Sequence, residues 1–143
     1  MATLPQTIHL APPLPGPEAR ALDERAGTAL PRALTAAMPT FARRTDRGVL
    51  EDVDGNRLID FGSGIAVTTV GGAAAPVVAA IQEQAENLTH TSFAVTRYAG
   101  YVEVAERLNS LTPGSFPKKT ALFNSGAEAV ENAIKLARRH TGR

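Results

Sequence analysis

The sequence predicts an α/β protein, and two local patterns indicate that class. Two short apolar segments, 49–53 and 57–61, flank the turn Asp54-Gly55-Asn56, where Asp-Gly supplies the backbone angles that a tight hairpin requires. Further along, the apolar segment Thr120–Phe123 predicts a strand that is followed by a turn and an amphipathic helix. Strands and helices are therefore mixed along a chain of 143 residues, which is long enough for a domain with a core.

The first seventeen residues carry five of the ten prolines. Proline lacks a backbone N–H and interrupts helices, so we expect an extended arm, either disordered on its own or lying across a partner subunit. From Glu18 an apolar face at helical spacing predicts a helix that Pro31 limits. The chain becomes uncharged after the hairpin, and we place a domain boundary near Gly62.

Two further helices are predicted beyond this boundary. Pro76 suits the first turn of a helix whose apolar residues form one stripe, and we expect that stripe to be buried. Tyr101, Val104, Ala105 and Leu108 repeat at helical spacing and predict another helix, after which Pro113-Gly114 forms a turn. The stripe after Pro76 consists of Val77, Val78, Ile81, Ala85 and Leu88.

Composition excludes several classes of function. The net charge is +1 without a dense basic block, so nucleic acid is not expected as a partner. The chain has no cysteine, which excludes disulfides and thiolate metal sites and fits a cytoplasmic protein. The uncharged stretch after Phe61 contains Gly71-Gly72 and Pro76, so we expect a loop and a core helix rather than a membrane span. The three histidines are far apart in sequence, and no metal site is predicted.

The segment around Ser125 is the candidate site for a ligand. Ser125 and Glu128 have the spacing of a capping box, and Gly126 lets an anion approach the backbone closely. A helix N-terminus points free N–H groups and a positive dipole end at one place, which favours a phosphate. The same pattern is also typical of a capped helix that binds nothing. It matches neither a Walker loop nor Gly-x-Gly-x-x-Gly, so a single phosphate on a small cofactor suits it best.

The segment Phe123–Lys135 resembles the phosphate-binding motif of class III (ω-amino acid) aminotransferases, which use pyridoxal 5′-phosphate. The resemblance is greatest to members that act on 4-aminobutyrate, particularly the actinobacterial ones. The loop Gly71–Pro76 departs from the family pattern and is expected to pack or to shape the pocket entrance. Other segments match in the same order, namely Asp52–Asp60, Gly64–Val67, Val77–Gln84 and Leu88–Thr91.

The resemblance implies a fold-type I pyridoxal-phosphate-dependent transferase, of which this chain is the N-terminal part. Residues 1–17 would be the proline-rich arm, and residues 18–62 would open the small domain and carry its hairpin. Residues 63–143 would begin the large cofactor domain. The family also implies a cytoplasmic homodimer that takes amino acid and 2-oxo acid substrates, with neither nucleic acid nor membrane as a partner.

By the same resemblance, Gly126 and Ala127 would offer backbone N–H groups to the cofactor phosphate. Ser125 would cap the helix or touch the phosphate, and Ile65 would line the substrate pocket. No catalytic residue is assigned, because the three lysines at 118, 119 and 135 are all predicted to be solvated, whereas a Schiff-base lysine needs desolvation. We expect that lysine, the ring-stacking pair and the partner of the pyridine nitrogen beyond Arg143, so residues 1–143 alone should be inactive.

The implied activity moves the amino group of an ω-amino acid, 4-aminobutyrate, to 2-oxoglutarate. One alternative is another class III member: an acetylornithine, ornithine or diamino acid aminotransferase, or an aminomutase. The other is a non-catalytic module that binds a phosphate ligand or a second chain.

Overall fold

The computed structural model describes residues 3–143 and divides the chain into two compact units, Met1–Asn87 and Leu88–Arg143. The division at residues 17 and 62 concerns the complete fold and stays a prediction. The first unit contains α1 (Pro17–Ala29), β1 (Ala42–Asp46), β2 (Val49–Asp52), β3 (Arg57–Ile59), the short turn α2 (Ser63–Ala66) and α3 (Ala75–Asn87). The second unit contains α4 (Ala99–Leu111) and α5 (Gly126–Thr141).

The three strands form one antiparallel sheet in the order β1-β2-β3. The predicted hairpin is confirmed as β2 and β3, although both strands end earlier than expected. β1 was not predicted, because its sequence Ala-Arg-Arg-Thr-Asp shows no apolar alternation. It is attached instead by a cross-strand ion pair, in which Arg44 Nε lies 2.7 Å from Glu51 Oε1 of its register partner.

The hairpin turn contains a buried polar cluster. Asp52 and Asn56 are both 0% exposed, and Asp52 accepts hydrogen bonds from the backbone and side-chain nitrogens of Asn56 at 2.8 Å. Asn56 Oδ1 accepts from Ala11 N at 2.7 Å, and His9 pairs with Arg57 through two backbone hydrogen bonds. The N-terminal arm therefore contacts its own sheet, beginning with Leu4 N, which donates to Asp46 Oδ2, and continuing to Ala11 at the hairpin turn. The expected disorder is not found in this part of the arm, and contact with a partner subunit stays a prediction. The expectation for residues 1 and 2 lies outside the described residues.

Asp54 attaches α1 to the same turn. Its two carboxylate oxygens accept from Glu18 N at 2.8 Å and from Ala19 N at 3.0 Å, so this side chain caps a helix that begins 37 residues earlier at Pro17. A Cβ on Gly16 would lie 2.3 Å from Asp54 Cγ, so a larger residue there would displace this carboxylate from the helix that it caps. The predicted helix from Glu18 is confirmed, and it ends at Ala29, before Pro31.

The second unit is held by an aromatic cluster. Phe93 stacks on Tyr101 with ring centroids 4.2 Å apart and meets Tyr98 edge-on at 5.4 Å. The Tyr101 hydroxyl accepts from Leu122 N at 2.8 Å. The strand predicted for Thr120–Phe123 is wrong for this structure, because no other strand among residues 88–143 supplies a ladder for its backbone groups.

The three long helices after the hairpin occur where the periodicity predicts them, but their apolar faces are open. No residue of α3, α4 or α5 is buried, and Ile81 of the predicted stripe is 62% exposed. Helical spacing thus predicted the three helices correctly, whereas the expected burial of the stripe is not found among residues 3–143. Within residues 3–143, no helix combines the length and the apolar character needed to cross a membrane.

Candidate functional site

The start of α5 has the geometry that the capping-box spacing predicts. Ser125 is extended, with φ −147° and ψ 159°, and its Oγ accepts from Glu128 N at 3.2 Å. The Glu128 carboxylate reaches back to Asn124 N at 2.9 Å, one residue further than in the usual reciprocal arrangement. Both interactions fix the turn that leads into the helix.

This cap leaves two donors of the first turn available. The first N–H groups of an α-helix have no acceptor within the helix. The Ser125 side chain accepts from the Glu128 N–H, and its carbonyl oxygen accepts from the Ala129 N–H at 3.1 Å. Among residues 3–143, by contrast, no acceptor is found for the N–H groups of Gly126 and Ala127. Apart from its own helical turn and chain neighbours, no atom of residues 3–143 lies within 4 Å of the position that a Cβ on Gly126 would take, so the space beside Gly126 is open.

Local interactions stabilise the rest of α5. Glu131 and Lys135, four residues apart on one face of the helix, form an ion pair with an N–O distance of 2.7 Å. The helix ends at Gly142, which has φ 71° and donates to Arg138 O at 2.9 Å. Basic side chains occupy the last turn and Glu128 the first, as the helix dipole favours. These interactions stabilise the helix that follows the Ser125 cap.

The loop that contains Ile65 is a left-handed helical turn. The φ angles of Ser63, Gly64, Ile65 and Ala66 are 46°, 62°, 62° and 60°. Ala66 N donates to Gly62 O at 2.9 Å, which closes the turn. Left-handed angles cost roughly 1–2 kcal/mol for each residue other than glycine, and a β-branched residue is a genuine outlier there.

Packing does not offset that strain, because the Ile65 side chain is 94% exposed. Residues held in such strained backbone angles occur often at ligand-binding sites. Asp60 Oδ1 accepts from Ser63 N at 2.8 Å and fixes the entry to the turn. Asp60 lies in the predicted segment 57–61, which gives no hint of this role, but its spacing of three residues before Ser63 could have suggested it.

All three lysines are predicted to be solvated; Lys119 and Lys135 are exposed, whereas Lys118 is half-buried and donates to Gly114 O. Lys135 is two-thirds exposed and paired with Glu131, and Lys118 lies 5.0 Å from the ring of exposed Phe116. Neither has the desolvated setting of a covalent catalyst. In the part of the chain that the structure describes, no three potential metal ligands cluster.

The three residues Ser125, Gly126 and Ala127 thus meet at one helix terminus in the second unit, while Ile65 belongs to the first. All four residues lie within a family match, since the family model for Aminotransferase class-III matches residues 32–143. The chain belongs to the class-III aminotransferase family. Members of this family depend in general on pyridoxal 5′-phosphate.

The curated relatives that are similar to this chain are named as aminotransferases. It is 54% identical to the 4-aminobutyrate aminotransferase of Mycobacterium tuberculosis over all 143 residues, which make up 32% of that protein. It is 47% identical over 122 residues to the 5-aminovalerate aminotransferase of Pseudomonas putida, covering 85% of this chain and 29% of the relative. The chain therefore spans about a third of the length of these curated relatives.

A solved structure confirms the fold. The chain is similar to an omega-transaminase from Sphaerobacter thermophilus with a TM-score of 0.75 and 30% identity, covering 91% of this chain and 30% of that one. The α/β prediction, as an N-terminal part of a fold-type I transferase, is confirmed by this match.

Proposed function

We propose that the complete protein carrying this chain transfers the amino group of an ω-amino acid, 4-aminobutyrate, to 2-oxoglutarate with pyridoxal 5′-phosphate. The observation that carries the proposal is the pair of acceptor-free N–H groups at Gly126 and Ala127, inside a segment that matches the class-III family. Residues 1–143 would supply part of the cofactor site and one edge of the substrate pocket.

The residues at the start of α5 fit a phosphate. Gly126 and Ala127 would donate their N–H groups, and the positive end of the helix dipole would favour the charge. The Ser125 oxygen already accepts from Glu128 N, which leaves its own proton to donate to a phosphate oxygen. The two roles that the sequence left open for Ser125 are therefore compatible.

When bound, pyridoxal 5′-phosphate supplies the aldehyde that takes up the amino group and the ring that delocalises electrons. The role of residues 1–143 would be to position the cofactor, because a phosphate held at a capped helix fixes the cofactor in place and limits its rotation. Ile65 would present an apolar edge to the substrate and exclude water from that side.

The choice of amino donor is supported by the curated relatives. Those at 54% and 47% identity are named for 4-aminobutyrate and 5-aminovalerate, both ω-amino acids. An acetylornithine aminotransferase from Elizabethkingia anophelis shares the fold at 31% identity with a TM-score of 0.74. Acetylornithine is therefore the second amino donor that the activity test includes. A homodimer and a cytoplasmic location stay predictions.

The phosphate site can be tested by removing one N–H without breaking the helix. Proline is favoured at the first helical position, and Ser125 already has the extended angles that suit a residue before proline. In the complete protein, Gly126→Pro should therefore raise the Kd for pyridoxal 5′-phosphate by about tenfold to a hundredfold, since a hydrogen bond to a charged group contributes about 1.5–3 kcal/mol. Binding of pyridoxal, which lacks the phosphate, should not change.

Ala99→Pro is the matched control. Ala99 is the first residue of α4, and the preceding Tyr98 is extended in the same way, with φ −135° and ψ 150°. This variant should bind the cofactor like the wild type. Equal Kd values for all three proteins would refute the phosphate site. Wild-type protein that binds the cofactor but transfers no amino group from 4-aminobutyrate, 5-aminovalerate or acetylornithine to 2-oxoglutarate would refute the proposed activity.

A further inference from the structure

One β-turn attaches both ends of the loop 60–72. Between β1 and β2, Arg47 and Gly72 exchange two backbone hydrogen bonds, each with an N–O distance of 2.8 Å. Next to them, Asp60 N donates to Gly48 O at 3.0 Å. The loop thus leaves the sheet and returns to it at neighbouring residues, as in a compact Ω-loop.

The return point accepts only glycine. Gly72 is buried, and a Cβ there would lie 2.5 Å from Thr45 Cβ and 2.6 Å from Thr45 Oγ1. Thr45 belongs to β1, so its backbone cannot move away without disturbing the ladder to β2. Any larger residue at position 72 must therefore separate the loop from the turn.

This attachment has a consequence for Ile65, because no side-chain packing within residues 3–143 holds the strained turn. The Ile65 side chain is exposed there, so hydrogen bonds oppose its return to ordinary angles. Inside the turn, Ala66 N donates to Gly62 O. Asp60 Oδ1 accepts from Ser63 N on the entry side, and Arg47 pairs with Gly72 on the exit side. A loop released at Gly72 gains freedom on the exit side and can relax.

We propose that Gly72 is a positioning residue: its two hydrogen bonds to Arg47 keep the left-handed turn Ser63–Ala66 formed and so set where Ile65 stands at the substrate pocket. The role given to Ile65 rests on the proposed function. The structural part of the proposal, that the turn depends on Gly72, rests only on the contacts described above.

The experiment compares Gly72→Ala with Gly62→Ala in the complete protein loaded with pyridoxal 5′-phosphate. Gly62→Ala is matched, because it places a Cβ in the same loop at an ordinary 3.6 Å from Asp60 Oδ1. Hydrogen exchange in the peptide covering residues 63–70 should accelerate at least tenfold in Gly72→Ala and stay at the wild-type rate in Gly62→Ala. The KM for 4-aminobutyrate should rise at least fivefold in Gly72→Ala, with kcat changed less than twofold.

Thr45→Gly provides the rescue, since it removes both atoms that a Cβ at position 72 would meet. The double variant Thr45→Gly/Gly72→Ala should recover the exchange rate and the KM of Thr45→Gly alone, and it keeps the test decisive if Gly72→Ala does not fold. Wild-type exchange in Gly72→Ala, or fast exchange with an unchanged KM, would overturn the proposal. An inactive wild type would instead refute the proposed function, and the exchange rates would then decide the structural half by themselves.

Discussion

At the hairpin turn the carboxylate of Asp52 accepts hydrogen bonds in full burial, whereas at the start of α5 the carboxylate of Glu128 does so in solvent. Asp52 takes three N–H groups, and its partner Asn56 reaches Ala11, 45 residues earlier. Glu128 takes one N–H, four residues away. The hairpin turn is completed by distant parts of the chain, and the start of α5 only by its own neighbours.

The difference shows how a structural cluster and a binding site can be told apart. Buried polar groups must find partners within the protein, and no buried side-chain nitrogen or oxygen among residues 3–143 lacks one. At the exposed start of α5, two N–H groups remain for a ligand. We therefore expect substitutions at the hairpin to affect stability most, and substitutions at α5 to affect cofactor affinity most.

Asn56→Ala should have the largest effect on stability. It leaves the buried Asp52 Oδ2 without its partner, and an unsatisfied buried group costs about 1–3 kcal/mol. It also removes the acceptor of Ala11 N, but Ala11 is exposed, so water can replace that hydrogen bond. We expect the free energy of unfolding to fall by about 2 kcal/mol, measured by urea unfolding followed by circular dichroism. Asn132→Ala is the control, because this side chain donates to Glu128 O on the surface of α5, and a loss below about 0.5 kcal/mol is expected. Comparable losses would remove the distinction between the two regions.

Asp54→Ala removes a helix cap supplied from a distant part of the chain, and Ser125→Ala removes one supplied from the adjacent residues. Both should reduce stability less than Asn56→Ala. Loss of a helix cap costs about 0.5–2 kcal/mol, and Asp54 serves two N–H groups where Ser125 serves one. Asp54→Ala should accelerate hydrogen exchange in both α1 and the arm that packs beside it. Ser125→Ala should do so only in the first turn of α5, and a spread of its effect through that helix would contradict this assignment.

The same contrast explains which features the sequence could predict. The cap at Ser125 depends on residues three positions apart, so its spacing alone indicates it. Asp54 looks like an ordinary turn residue, because nothing near it in sequence indicates that it binds Glu18 of α1, 36 residues before it. The left-handed angle of Ile65 was also hidden, since only the neighbouring Gly64 hints at positive φ.

Strands show the limit most clearly, because each one needs a partner. The segment Thr120–Phe123 has the composition of a strand, yet it pairs with none among residues 88–143. β1 lacks that composition and is a strand nevertheless, since Glu51 on β2 binds Arg44 across the ladder. Composition indicates whether a segment is able to form a strand, but a neighbouring segment must pair with it before the strand forms.

The pair of Arg44 and Glu51 gives the smallest expected effect and the one that depends on pH. Hydrogen bonds from Arg44 lower the pKa of the Glu51 carboxyl below its ordinary value of 4.5, against a smaller opposing effect of burial. The ionised carboxylate therefore stabilises the fold at pH values above 4.5, and this contribution is lost as the pH falls through the lowered pKa of the folded state. The urea midpoint of Glu51→Gln should lie below that of the wild type at pH 7, and the two should converge under acid conditions. Glu131→Gln, which breaks an exposed pair, should show a smaller difference at pH 7. A gap between Glu51→Gln and the wild type that persists in acid would mean that β1 is held by packing rather than by this ion pair.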